Sequence, residues 1–350
     1  MTGPYLIYGA NGYTGELIAR EAARRGQRPV LAGRRAEAVR ALATELGLEH
    51  RAFGLDDARA VDDGLKGLAA VLHCAGPFVR TFRPMADACL RARAHYLDVT
   101  GEIEVFEHLA ARDAEARGAG VMLLPGIGFD VVPSDCLAGH LKRRLPSATR
   151  LVLAFHSVGG LSRGTATTMI ENLHRGGLMR RDGVLTPVPA AWKTRQVDFG
   201  RGPRRVVSIP WGDVSTAYHS TGIPNIEVYT TTTSPLLLAM RASRLLRPLL
   251  ASSAVQSSLK RRVGAGVPGP TAEQRARGRT VLWGEVTDEA GGRAESRLHG
   301  PDGYTFTMLT ALAAVEKALS GSACAGFQTP SKAYGPDFVL GVEGVTREDL

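Results

Sequence analysis

Cysteine is scarce in this chain of 350 residues: Cys74, Cys89, Cys136 and Cys324 stand far apart, with no C-x-x-C pair. Four scattered thiols neither staple a protein of this size nor match a zinc site, so reduced thiols and a cytoplasmic location are expected. Lysine occurs at only six positions, and arginine therefore carries nearly all of a net charge of +9. No zinc-finger spacing, long basic run or aromatic-studded basic stretch accompanies that charge, and nucleic-acid binding is not expected. The nine histidines are dispersed without a pair at metal spacing, and no metal site is expected. No apolar run is long enough to span a bilayer, because the greasiest, Leu236–Ala251, is interrupted by Arg241, Arg244 and Arg247. Strand-like Tyr5-Leu6-Ile7-Tyr8 follows the start almost at once, so no signal peptide is expected.

Hydrophobic residues make up 44% and charged ones 22%, the balance of a folded chain long enough for two domains. Its basic surface suits an anionic partner, such as a phosphate-rich cofactor or an acyl thioester on a carrier. Apolar runs at Tyr5–Tyr8, Pro29–Ala32, Arg51–Leu55, Ala70–Ala75, His95–Asp98 and Val121–Leu124 alternate with helical patterns. Two of those, Glu16–Arg25 and Ala36–Leu46, are closed by Gly26 and Gly47, and Pro84 marks the first turn of another. The class is α/β: a doubly wound, Rossmann-type parallel sheet over 1–145, with ligands at the carboxyl ends of its strands.

After Leu145-Pro146-Ser147 the texture changes. Strands at Arg150–Phe155, Arg205–Ile209, Ile226–Thr232, Thr280–Thr287 and Arg293–His299, with a helix near Thr165–Leu173, predict a second domain over 146–304. It is α+β, mostly antiparallel, and is expected to bind substrate and to form any homodimer contact. Residues 242–276 read as a helix followed by a mobile loop. A last helix, about Thr305–Leu319, opens a segment (305–350) that completes the first domain.

Between the first strand and the first helix lies Gly9-Ala10-Asn11-Gly12-Tyr13-Thr14-Gly15, a G-x-x-G-x-x-G variant of the dinucleotide fingerprint. The first glycine makes the tight turn, the second lets backbone approach a pyrophosphate, and the third lets the helix pack closely. The second strand ends in Gly33-Arg34-Arg35, where an NAD-binding protein carries an acidic residue. A guanidinium there binds the 2′-phosphate that a carboxylate would repel, so NADP(H) is the expected cofactor. Asp56 is placed near the adenine, and Ala75-Gly76-Pro77 near the nicotinamide-side ribose.

No tyrosine is followed by lysine as Tyr-x-x-x-Lys, which sets aside the short-chain dehydrogenases. Six runs occur in order along the chain: Gly9–Gly15, Ala32-Gly33-Arg34, Ala75-Gly76-Pro77-Phe78, Tyr96–Glu102, Gly128–Asp135 and Gly159–Thr165. In these the chain resembles the saccharopine dehydrogenase-like oxidoreductases, and within them the trans-acting enoyl reductases of bacterial lipid biosynthesis. The resemblance implies a nicotinamide-dependent oxidoreductase that holds substrate between two domains.

Hydride transfer needs an aligned electrophilic carbon and a group that stabilises or protonates the developing anion. Candidates at the ends of strands four to six are Asp98, Glu102 and Asp130. The resemblance points first to Asp130, which matches an acidic residue near the substrate in saccharopine reductases. The competing reading is that Asp130 or Ser134 organises a turn and caps the following helix. In the glycine loop of the second domain, Ser162 and Thr165 are candidates to meet substrate, as is His156. The same loop, Gly160–Gly164, matches the G-x-S-x-G elbow of serine hydrolases. An elbow follows its strand directly, whereas here four residues intervene, and the parallel sheet lies earlier in the chain. The leucines and arginines of 234–250 form an amphipathic helix, expected to pack on the second domain with arginines in solvent; lipid, an acyl chain or an acyl carrier is the alternative neighbour. Three functions stay open: reduction of a C=C, C=N or C=O bond in a small molecule, enoyl reduction in trans on a carrier-bound acyl thioester, and sensing of NADP(H) without turnover.

Overall fold

The computed structural model describes residues 3–160, 162–172, 175–264 and 268–350. In chain order it runs β1 (Tyr5–Tyr8), α1 (Tyr13–Arg24), β2 (Val30–Gly33), α2 (Ala36–Leu46), β3 (His50–Ala52), α3 (Ala58–Gly64), β4 (Ala70–His73), α4 (Phe78–Ala92), β5 (His95–Asp98), α5 (Ile103–Ala110), α6 (Asp113–Ala119) and β6 (Met122–Leu124). There follow α7 (Val132–Arg144), β7 (Arg150–Val158), α8 (Arg163–Asn172), β8 (Gly177–Arg181), β9 (Val184–Val188), β10 (Thr194–Asp198), β11 (Pro203–Ser208), α9 (Asp213–Thr221) and β12 (Asn225–Thr231). The last part holds α10 (Ser234–Ala242), α11 (Arg247–Ala251), α12 (Ser253–Gly264), α13 (Ala272–Arg277), β13 (Arg279–Thr287), β14 (Arg293–Pro301), α14 (Gly303–Lys317), β15 (Gly326–Phe327), α15 (Pro330–Tyr334) and β16 (Thr346–Asp349).

The chain divides into two compact units, Met1–Val132 with Tyr304–Gly335, and Pro133–Gly303 with Pro336–Leu350. In the first, seven parallel strands lie in the order β15-β6-β5-β4-β1-β2-β3. The strand order reverses between β1 and β4, and in such sheets the crevice beyond that point is where ligands bind. Strands β1 and β4 are buried throughout, as a sheet covered on both faces requires. Helix α1 turns Gly15, Ile18, Ala19 and Ala22 inward, the i, i+3, i+4, i+7 spacing of one helical face. Pro84 does not begin α4: the helix starts at Phe78 and the proline lies inside it.

The second unit is built on a nine-stranded sheet with a main path β10-β11-β12-β7-β13-β14-β16, to which β8 and β9 attach at β12. Every pairing is antiparallel except β12 with β7. Along β14 exposure alternates residue by residue, Ala294, Ser296 and Leu298 facing in and the charged neighbours out. Gly284 of β13 leaves room for α7, since a Cβ there would stand 2.6 Å from Leu141 and 3.2 Å from Leu137. That packing puts α7 in the second unit, so the division falls after Val132 and not after Leu145. Likewise 336–350 go with the second unit, because β16 pairs with β14 from Ser296–Asp349 to His299–Thr346.

The stretch expected to be a helix and a mobile loop instead holds the end of α10, the short helices α11 and α12, and α13. Of that stretch, 265–267 lie outside the described residues, as do Leu161 of the second glycine loop and Leu173 at the expected end of α8. Among the described residues no helix is long and apolar enough to cross a membrane.

Candidate active site

The glycine loop is shaped by backbone contacts that leave no space for side chains. Gly9 has φ +82°, and a Cβ on it would stand 2.9 Å from both Cβ and N of Ala75, where β1 and β4 end side by side. On Gly15 a Cβ would lie 2.3 Å from the Gly9 carbonyl oxygen. Glycine at both places lets α1 start directly beneath the strand ends. Gly12 is the residue before α1, and no side chain caps the helix there. Its first-turn residues Tyr13 and Thr14 are half-buried, and the Tyr13 ring meets Tyr304 edge-on at 5.0 Å. A half-exposed, uncapped helix start is a seat for an anion.

At the end of β2 the two arginines part ways. With its amide oxygen turned toward Arg35, Asn11 accepts from Nη2 at 2.7 Å and Nε at 3.0 Å, tying the glycine loop to the start of α2. Gly33 is buried below, where a Cβ would press on the Asn11 amide at 3.1 Å. Arg34 is exposed. Burial pushes the Tyr8 phenol up to about 12, with Arg34 opposing and Asp56 adding, so both charges lie within electrostatic reach of that hydroxyl. Asp56 is exposed and folds back on Gly54, while its neighbour Asp57 caps α3 through Arg59 N and Ala60 N. Glycines without room for a side chain, an uncapped helix start and a solvent-facing guanidinium fit a dinucleotide that carries a 2′-phosphate.

Ala75, Gly76 and Pro77 form the turn into α4. Thr81 Oγ1 donates to the Ala75 carbonyl at 2.6 Å and meets His73 Nε2 at 3.0 Å. His73 is fully buried, and burial holds its imidazole down to about 3, so it stays neutral and braces the turn. Glu102 reaches across from β5's end and accepts from Phe78 N (2.8 Å) and Val79 N (2.9 Å), the orphan amides of the first turn of α4.

Asp98 is also fully buried and fully engaged. Its Oδ2 accepts from Tyr96 OH at 2.6 Å, and its Oδ1 from Thr100 N at 3.0 Å and Gly126 N at 2.9 Å. Burial pushes it up to about 6 against the pull of those bonds. It links the ends of β5 and β6. The next loop, Ile127–Val131, is pinned to α14: Phe129 N donates to Thr307 Oγ1 at 3.0 Å, and Thr310 Oγ1 to the Ile127 carbonyl at 2.8 Å.

Asp130 is different. Its carboxylate lies over Gly101, where a Cβ would stand 2.7 Å from Oδ2, and makes no hydrogen bond among the described residues. It is half-buried, and burial with the nearby charge of Glu102 pushes it up to about 6. A carboxyl poised in that way can hold a proton near neutrality and still be reached.

In the second unit Ser162 and Thr165 come together, Oγ to Oγ1 at 3.1 Å, and Ser162 Oγ also accepts from Thr165 N at 3.3 Å. That is a cap on α8. His156 meets Thr231 Oγ1 at 3.1 Å and the Phe199 ring at 5.9 Å. Thr307 and Thr310 escape sequence reasoning, because nothing local marks a threonine as the partner of a loop far away in the chain; Thr81 and Tyr304 carry no motif either.

Residues 5–124 match the family described as saccharopine dehydrogenase NADP binding domain. The chain is 30% identical over 181 residues to a trans-acting enoyl reductase of Mycobacterium ulcerans, and 32% identical over 181 residues to one of Mycobacterium tuberculosis. Each match covers 47% of this chain and spans 43% of the relative's length. In fold the chain is similar to apo saccharopine dehydrogenase (L-Glu forming) from Saccharomyces cerevisiae, with TM-score 0.66 and 13% identity over 99% of this chain and all of that one. Over residues 5–124 the chain is thus similar to the NADP-binding domain of saccharopine dehydrogenase, and NADP(H) is the cofactor that this match supports.

Proposed function

We propose that the protein is an NADPH-dependent reductase of a polarised double bond, and that its substrate is an α,β-unsaturated acyl thioester presented on a carrier. The names of the similar mycobacterial proteins favour that substrate over a C=N or a free C=O compound. One observation carries the reading: on the rim where the glycine loop ends β1, the loop after β6 presents Asp130 with its carboxyl pushed up to about 6. NADPH, when bound, supplies the hydride. Asp130 in its acid form gives its proton to the carbon beside the thioester carbonyl, and takes one back from solvent for the next turnover. Asp98 and Glu102 hold the strand-end loops in place. The second unit would contribute substrate contacts from Ser162, Thr165 and His156, and any homodimer contact.

Because Asp130 acts as an acid, turnover falls as pH rises through about 6 and levels off below it. NADPH oxidation with a crotonyl thioester of pantetheine, followed across pH, reads this directly. Asp130→Asn should lower turnover by roughly 10²–10⁴-fold and flatten the profile, while NADPH affinity measured by calorimetry stays unchanged. Unchanged turnover in the variant would remove Asp130 from the chemistry. A wild-type protein that binds NADPH but reduces no thioester, imine or carbonyl would leave the sensor reading.

A further inference from the structure

The second unit carries an apolar surface that its core does not use. Helix α10 and the turn after it are fastened at Ser234, Leu237, Met240 and Arg244. Leu237 packs with Met240 against Ala191 and Val207, and Arg244 donates from Nε to the Ala190 carbonyl at 2.7 Å and from Nη2 to that of Ala191 at 3.0 Å. The expected arrangement, leucines inward and arginines out, is therefore partly inverted. Leu236, Leu238, Leu245, Leu246 and Leu249 are exposed, between 49% and 87%. Leu238 lies on α10, Leu245 in the turn after it and Leu249 on α11. Trp192, next to the buried Ala191, is exposed as well.

Along the sequence, the charge of this segment has one sign. Between Glu227 and Glu273 there is no aspartate or glutamate, while Arg241, Arg244, Arg247, Lys260, Arg261 and Arg262 fall in the same stretch. Lys260 pairs with Glu171 at 2.5 Å, whereas Arg241, Arg261 and Arg262 are exposed. From Ser234 to Ala251 the side chains also include no asparagine or glutamine. The segment thus offers aliphatic surface and cationic donors, with no side-chain carboxylate or amide to specify a protein partner. A two-fold contact with a second copy would bring this anion-free stretch against itself. Leucines and a tryptophan bordered by arginines instead match a bilayer whose surface carries phosphate charge.

We propose that the α10–α11 edge, with Trp192, seats the protein on the surface of a membrane rich in anionic phospholipid, lying on it without crossing it. This does not depend on the reductase reading. The test is co-sedimentation of the full chain with vesicles of phosphatidylglycerol and phosphatidylcholine in equal parts, against vesicles of phosphatidylcholine alone. Partition at least tenfold higher onto the anionic vesicles is expected, falling with added salt. Leu238→Ser, Leu245→Ser and Leu249→Ser combined should reduce it at least tenfold, with NADPH affinity unchanged as the check on folding. Arg241→Glu, a milder change at an exposed site, should reduce it several-fold. Equal partition onto both vesicle types, or partition indifferent to the leucines, would overturn the proposal. So would a leucine-dependent dimer, or binding of an acidic acyl carrier protein, in the absence of any vesicle binding.

Discussion

Two glycine-rich loops open helices in this chain, and they meet the helix's demand for hydrogen-bond acceptors in opposite ways. At Gly9–Gly15 no side chain caps α1, and the glycines are fixed by backbone crowding. At Gly159–Thr165 the loop supplies its own acceptor, Ser162 Oγ, to Thr165 N. Gly164 there is not crowded, since a Cβ on it would meet only Ser162 Oγ at 3.7 Å. Glycine content is therefore a poor guide to ligand binding by itself. What separates a cofactor cradle from a capped turn is whether the amides of the first turn have been answered from within the protein.

The largest effect should come from adding one methyl group to each loop. Gly15→Ala pushes a Cβ into the Gly9 carbonyl, which is backbone and cannot rotate away. A loss of about 3 kcal/mol of stability is expected, with NADPH affinity down by roughly 100-fold. Gly164→Ala has space and replaces a flexible residue inside a helix, so it should be neutral or stabilise by roughly 0.5 kcal/mol. Urea unfolding and calorimetric titration of both variants measure the contrast. Equal behaviour would mean that the crowding at Gly15 does not shape the cofactor loop.

The first unit was legible in the sequence because its strands are buried on both faces and its helices end on glycine. Gly26 and Gly47, at φ +75° and +64°, stand where the helical patterns stop. The start of α4 was not legible, since its cap is Glu102, a carboxylate 24 residues further on from Phe78. In the second unit β8 hides for another reason. Its Arg180 is buried, with Nε donating to the Val214 carbonyl and Nη1 to that of Gly183, both at 2.7 Å, and the guanidinium lies 4.2 Å from the Tyr218 ring centroid. A charge in an inward position defeats any reading by alternation. At the candidate site the carboxylates could be named from the sequence, but not their division of labour. Asp98 and Glu102 are taken up by backbone amides, which leaves Asp130 as the carboxylate without such a bond.

A middling effect sharpens the cofactor side of the contrast. Arg34 and Arg35 both face solvent at the end of β2, and Arg35 is also engaged by Asn11. Arg34→Ala should weaken NADPH by about 10–100-fold, the worth of one or two charge-assisted hydrogen bonds to phosphate, and leave NADH nearly unchanged. Arg35→Ala loosens the glycine loop and should weaken both nucleotides alike, by a few-fold. Parallel titrations with the two nucleotides separate these outcomes. If the two variants exchange behaviour, the 2′-phosphate is read by Arg35 and Asn11 is released when cofactor binds.

The smallest effect tests the second loop. Ser162→Ala removes the acceptor for Thr165 N and the partner of Thr165 Oγ1, and a lost cap of this kind costs about 1 kcal/mol. Stability in urea should fall by that amount, with NADPH affinity unmoved. The informative quantity is KM for the thioester. If it stays constant while stability drops, Ser162 is a cap and nothing more. If KM rises several-fold at nearly constant stability, the serine serves the substrate instead, and the second loop leaves a helix start open to a ligand much as the first does.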